Sequence, residues 1–187
     1  MAIGSNDIAY CIVSLVSALW MMIPAYIPNP VAVVFGGGTP IDRGMRFLDG
    51  KRLLGDGKTY RGFIAGVLAG ILAGAILIRL RTSFGLDVLP AHTLLSVILL
   101  AAGALLGDMA KSFLKRRAGK ERGEKWPIAD QYDLVAGSLL LVLIAMPGWL
   151  LENLTLPMLV WIIIVTPILH RATNIIGYLA GVKDVPW

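Results

Sequence analysis

Five runs of mostly apolar residues dominate this sequence, and each approaches or exceeds the ~20 residues that a helix needs to cross a bilayer. They lie at about 7–28, 62–80, 90–113, 131–151 and 156–179. A chain of 187 residues carrying five such runs has no room for a soluble domain beside them. Composition agrees. Charged residues make up 16% and hydrophobic residues 57%, where soluble domains carry roughly 25% charge. The expected fold class is therefore an all-α polytopic membrane protein, one membrane domain over 1–187 with five transmembrane helices. Two long loops, about 29–61 and 114–130, hold most of the glycine, proline and charge. The first run lacks a basic leading segment and is longer than a signal-peptide core, so it is read as a true span. Gly66, Gly70 and Gly74 fall at i, i+4, i+8 and predict close helix packing. Pro147 and Pro167 predict kinks in spans four and five.

The charge is one-sided. Arg43, Arg46, Lys51, Arg52, Lys58 and Arg61 follow span one. Lys111, Lys115, Arg116, Arg117, Lys120, Arg122 and Lys125 follow span three, and Arg171 and Lys183 lie near the end. The opposite side has only Arg79 and Arg81. The positive-inside rule then puts both long loops in the cytoplasm, with the N-terminus outside and the C-terminus inside. The expected location is the cell membrane. Cys11 is the single cysteine, so no intramolecular disulfide is possible. His92 and His170 are too far apart in sequence for ordinary zinc-ligand spacing. Span interiors are nearly free of ionisable groups, which argues against a small transporter or channel.

The stretch Gly55-Asp56-Gly57-Lys58-Thr59-Tyr60-Arg61-Gly62 invites comparison with a nucleotide P-loop. The comparison fails. The pattern G-x-x-x-x-G-K-[ST] needs glycine at 52, where Arg52 stands, and a buried strand before it. A looser phosphate cradle survives that test: the glycines admit close backbone approach, Lys58 offers a point charge and Thr59 a hydroxyl. The plain alternative is a turn leading into span two.

The acids are more informative. Asp108, Lys111, Ser112 and Lys115 sit at i, i+3, i+4 and i+7, on one helix face. Counting ~1.5 Å per residue from Pro90 puts Asp108 roughly 27 Å along, near the inner end of the hydrocarbon core. An acid there is costly unless paired or metal-bound. Asp130 and Asp133 stand at i, i+3 at the start of span four, at the same depth. Three carboxylates can thus converge at the inner membrane surface. Mg²⁺ takes a few carboxylate oxygens and leaves its other positions to phosphates and water. The bland reading of Asp130 is a helix cap, with Asp133 helping the helix dipole. The bland reading of the flanking cations is topology or contact with anionic lipid.

These residues resemble a known family. Ser112-x-x-Lys115-Arg116-x-x-x-Lys120-Glu121, closing in Asp130-x-x-Asp133, is similar to the signature of CDP-diacylglycerol synthases. GDGKTYRGFIAG resembles their P-x-K-T-x-E-G-x-I-G-G element. The closer likeness is to the archaeal branch, the CDP-archaeol synthases, through GGGTPIDRGMRFLDGKRLLGDGKTYRG and HRATNIIGYLAGVKDVPW. WPIADQYD replaces the bacterial P-G-H-G-G before the final acids, and Glu121 and Gln131 stand where Asp and Arg are usual.

The resemblance implies a CTP-dependent cytidylyltransferase that converts an unsaturated archaeal ether-lipid phosphate to a CDP-lipid and pyrophosphate. It implies catalytic roles for Asp108, Asp130, Asp133 and Lys115, the three acids holding Mg²⁺. It implies substrate contacts from Gly57, Lys58, Thr59, Arg61, Lys111, Ser112, Arg116 and Lys120, with Asn29 and Asp56 as further candidates. The expected partners are CTP, the lipid phosphate and the membrane, with no nucleic acid, and oligomeric state stays open. Two alternatives stand beside this reading: a synthase acting on ester-linked phosphatidic acid, and a non-enzymatic transporter or lipid-binding protein. A CDP-alcohol phosphotransferase is not supported, because Asp49-Gly50 is not followed by Ala-Arg and the last acids are spaced i, i+3.

Overall fold

The computed structural model describes residues 5–121, 124–183 and 185–186. Arg122, counted above among the loop cations, lies outside the described residues. Seven helices follow in order: α1 Ser5–Tyr26, α2 Pro28–Val34, α3 Tyr60–Phe84, α4 Leu94–Arg117, α5 Pro127–Ala145, α6 Pro147–Asn153 and α7 Leu156–Leu179. Among the described residues five segments are long and apolar enough to cross a membrane. α1 and α2 together form the first, Asn6–Val34, so it runs one turn and a half beyond the expected end near residue 28. The fourth is corrected as well. It covers Pro127–Ala145, not 131–151, because Met146 before Pro147 is forced out of helical geometry (φ −142°, ψ 56°) and α6 starts afresh.

The helices invert the soluble pattern. On α3 the large side chains Ile64, Leu68, Leu72 and Ile76 face outward, while Gly62, Gly66, Gly70 and Gly74 are buried. A Cβ at Gly66 would lie 2.6 Å from the Pro28 carbonyl oxygen, and one at Gly74 would lie 2.2 Å from Val97 Cγ1. The expected glycine row therefore lets α3 press against α1–α2 on one side and α4 on the other. A second glycine seam joins α4 to α5. A Cβ at Gly107 would meet the Asp133 carbonyl oxygen at 2.1 Å, and one at Gly137 would meet the Gly103 carbonyl oxygen at 2.2 Å. Ser138 Oγ donates to the Leu100 carbonyl across this seam at 2.8 Å.

Proline frees helix carbonyls inside the membrane, and the fold satisfies them. Pro24 leaves the Trp20 carbonyl without its helical donor, and His92 Nε2–H reaches it at 3.2 Å. Pro167 does the same to the Ile163 carbonyl, which accepts from the Tyr132 hydroxyl at 2.9 Å. The two basic loops meet at one end of the bundle: Lys51 Nζ donates to the Arg117 carbonyl (3.0 Å), and Arg117 pairs with Asp49 (3.1 Å). At the other end Trp149 Nε1 donates to the Ala91 carbonyl, tying α6 to the segment before α4.

Candidate active site

The α4–α5 seam brings the acids together. With no side chain at Gly103, Gly107 or Gly137, the two helices approach closely directly before Asp108 and one turn before Lys111 on α4, and one turn after Asp133 on α5. Lys111 Nζ lies 3.0 Å from Asp108, 3.5 Å from Asp130 and 2.6 Å from Asp133. Lys58, from the loop before α3, pairs with Asp108. Lys115 pairs with Asp130 at 2.7 Å. The result is an alternating chain of charges, Lys58–Asp108–Lys111–Asp133/Asp130–Lys115, with the Asp133 side chain only 2% exposed. A buried array of this kind is tolerable only because each charge meets its opposite.

The cluster lines a cavity of about 1180 Å³. Asn29, Asp56, Gly57, Thr59, Ser112 and Arg116 line it as well. Of the residues singled out in the sequence, Arg61 and Lys120 do not. Arg61 is exposed on the first turn of α3, and Lys120 is turned to Glu124. Two others are occupied within the protein. Thr59 Oγ1 accepts from the Gly62 N–H at 3.1 Å and is the N-cap of α3. Ser112 Oγ donates to the Asp108 carbonyl at 2.9 Å, one helical turn back. The hydroxyl donor expected of Ser112 is thus used inside α4. Asp130 is not the N-cap expected of it: Trp126 holds that position, and Asp130 sits in the first turn of α5, accepting from the Trp126 N–H at 2.7 Å while it holds Lys115.

The loop that delivers Lys58 is built on a residue that the sequence did not single out. Asp42 is 2% exposed. Its Oδ2 accepts from Arg52 Nε and from the N–H groups of Leu54 and Gly55, and its Oδ1 accepts from Arg52 Nη2 and the Gly44 N–H. Burial opposes its ionisation, but Arg52 and the three N–H donors hold its carboxyl well below the usual carboxylate range. Pairing of the Ile41 N–H with the Lys58 carbonyl at 2.8 Å closes the loop. Arg117 lies over the rings of Phe47 and Phe113, pinning the loop to α4.

In kind, three carboxylates meeting at one cation fit a hard divalent ion. As they stand, the Lys111 ammonium occupies their meeting point. Among the described residues no three His, Cys, Asp or Glu side chains close around a single ion position.

Comparison with known proteins bears on what such a site does. Residues 10–187 match the family described as CarS-like, CDP-archaeol synthase. A relative named CDP-archaeol synthase from Methanoculleus marisnigri is 64% identical over 166 residues, covering 89% of this chain and 100% of the relative. Its namesake from Methanosphaerula palustris is 63% identical with the same coverage. A solved structure described as an intramembrane enzyme for archaeal membrane lipids biosynthesis is 33% identical with a TM-score of 0.64, covering 90% of this chain and 95% of that one. A family match over nearly the whole chain, and relatives this similar over their full length, establish that the protein belongs to the CDP-archaeol synthase family.

Proposed function

We propose that this membrane enzyme transfers the CMP moiety of CTP to the phosphate of an unsaturated archaeal ether lipid, 2,3-bis-O-geranylgeranyl-sn-glycerol 1-phosphate, releasing pyrophosphate. Membership of the CDP-archaeol synthase family makes it a cytidylyltransferase of archaeal lipid biosynthesis. The observation that carries the finer reading is the alternating lysine–aspartate chain lining a cavity larger than most single-ligand sites. That volume suits two substrates, one of them a triphosphate. The cavity wall also includes apolar residues of α2 and α7, among them Val33, Val34, Leu169 and Ile176, against which an isoprenoid chain can lie.

A lipid phosphate monoester has its second pKa near ~6 and is largely dianionic at neutral pH. Its oxygen attacks the α-phosphorus of CTP without a general base, and pyrophosphate leaves as an anion. Catalysis then consists of alignment and charge neutralisation. Lys58, Lys111 and Lys115 exchange carboxylate partners for phosphate oxygens, and Arg116 adds a guanidinium from the same wall. Asn29 presents a buried amide oxygen that lacks a hydrogen-bond partner among the described residues. Asp108, Asp130 and Asp133 would hold the divalent ion, Mg²⁺ in this reading, which neutralises phosphate charge when bound. The site faces the cytoplasm, where CTP is made, in keeping with the two basic loops gathered at that end.

Purified protein supplied with radiolabelled CTP and a panel of ether- and ester-linked lipid phosphates tests the proposal. The unsaturated ether lipid should give labelled CDP-lipid at the highest rate. Product from ester-linked phosphatidic acid alone would refute the substrate assignment.

A further inference from the structure

One wall of the cavity takes no part in the chemistry above. His170, Thr173, Asn174 and Gly177 of α7 all line it, at a spacing that shares one helix face. Past the end of α7 the chain doubles back. Gly181 is left-handed (φ 69°) and its N–H reaches the Tyr178 carbonyl at 3.0 Å. The N–H groups of Val182 and Lys183 both donate to the Gly177 carbonyl, at 2.9 and 3.1 Å. This is the closure of a glycine-terminated helix. It lays the Lys183 stem over Gly177, where a Cβ would stand 3.3 Å from Lys183 Cγ and Cδ.

The reversal brings Lys183 Nζ to Asn174 Oδ1 at 2.6 Å. Lys183 lines the same cavity as Lys58 and Lys111. Asn174 is 8% exposed, and its Nδ2 is buried with no hydrogen-bond partner among the described residues. The amide oxygen orients the lysine while the amide donor is left over, and a buried donor without an acceptor is costly. A ligand oxygen entering this wall would meet an ammonium and an amide N–H side by side.

We infer that Lys183 and Asn174 form a phosphate-binding pair, a third contact surface for the anionic substrates beside the Lys58 loop and the Lys111–Lys115 helix face. The inference rests on the cytidylyl-transfer reading for the origin of the phosphate, which belongs either to the lipid or to the triphosphate. Electrostatics support it. Burial, and then the Lys111 charge, lower the Lys183 pKa from its ordinary value, and a phosphate dianion offsets both.

The test is steady-state kinetics of full-length wild type, Lys183→Gln, Lys183→Arg and Asn174→Ala, with CTP and lipid phosphate varied separately and Tm measured for each. Lys183→Gln keeps a polar group for Asn174 but removes the charge. It should raise KM for one substrate about 10- to 100-fold, the effect of a charge-assisted bond, with Tm unchanged. Lys183→Arg should recover part of the loss, and Asn174→Ala should raise the same KM. The substrate affected identifies the source of the phosphate. If Lys183→Gln does not fold, Asn174→Ala carries the same comparison. Titration of wild type and Lys183→Gln with pyrophosphate reads the pair without turnover. Both KM values unchanged together with equal pyrophosphate affinity would overturn the inference, as would a loss confined to kcat and Tm. Wild type that fails to join CTP to lipid phosphate would instead overturn the proposed function, and the pyrophosphate titration alone would then decide the pair.

Discussion

Asp42→Asn is the perturbation that separates loop architecture from phosphate chemistry, because Asp42 stands outside the charge cluster yet organises the segment that supplies Lys58. Both carboxylate oxygens accept more than one donor: Oδ1 faces Arg52 Nη2 and the Gly44 N–H, and Oδ2 faces Arg52 Nε and the N–H groups of Leu54 and Gly55. An amide fits neither way round, since its NH₂ must point at two or three donors. Leaving one buried N–H unsatisfied costs about 1–3 kcal/mol. That cost falls on the 54–58 segment and not on the membrane helices, so the loop opens locally. If closure is required for the reaction, kcat/KM falls about 5- to 150-fold. Tm should move little, and hydrogen exchange at the Leu54 and Gly55 amides should quicken. The sign of the pH dependence follows from the depressed Asp42 pKa. Its stabilisation is fully present above the unfolded value near ~3.9 and is lost as pH falls through the folded value. The Asp42→Asn defect should therefore be constant from about pH 6 to 8. Asp87→Asn, an exposed acid at the opposite end of the bundle that touches Arg81 at 3.3 Å, should change kcat/KM by no more than about twofold. Wild-type exchange rates at Leu54 and Gly55 with unchanged kcat/KM in Asp42→Asn would refute the reasoning.

Three further predictions follow from the site. Gly107→Ala places a Cβ 2.1 Å from the Asp133 carbonyl and should lower both Tm and activity, a strain of about 1–3 kcal/mol, whereas Gly148→Ala, with open space around it, should leave thermal melts and turnover unchanged. Lys58→Ala should lower kcat/KM about 10- to 100-fold and Lys58→Arg should restore only part, because a guanidinium fork does not reproduce a point charge; wild-type kinetics for Lys58→Ala would leave the segment a turn into α3. Asp108→Asn, Asp130→Asn and Asp133→Asn should each lose most turnover and a chelator should abolish it in wild type, with full activity of Asp130→Asn alone leaving that residue a structural anchor of the first turn of α5 through its bond to the Trp126 N–H.

Hydropathy was sufficient to find five spans, because a bilayer demands length and apolarity wherever the chain crosses it. It placed the ends less well. Pro147 breaks the fourth span outright where a kink was expected, since Met146 leaves helical geometry before it. The convergence of Asp108 and Lys111 with Asp130 and Asp133 was legible from helix periodicity, and Gly103, Gly107 and Gly137 now supply the physical reason for it. Lys111 at the centre of the acids was less legible: face-sharing along α4 says nothing of how deeply a neighbouring helix presses in. Asp42 was invisible because its partners are mostly backbone N–H groups of a loop without periodicity. Thr59 carried a readable signal, a threonine directly before an apolar run, which marks an N-cap. The Lys183–Asn174 contact depends on a chain reversal at Gly181 that spacing alone does not reveal.

The central claim is that the bond broken lies between the α- and β-phosphates of CTP and that the CMP half goes to the lipid. Two samples of CTP, radiolabelled at the α- or the γ-phosphate, test this directly with the purified protein and the unsaturated ether-lipid phosphate. The account predicts that α-label enters the lipid fraction in step with pyrophosphate release, while γ-label appears in pyrophosphate alone. Label from the γ-position in the lipid, or a lipid fraction that stays unlabelled while the protein remains folded, would contradict it.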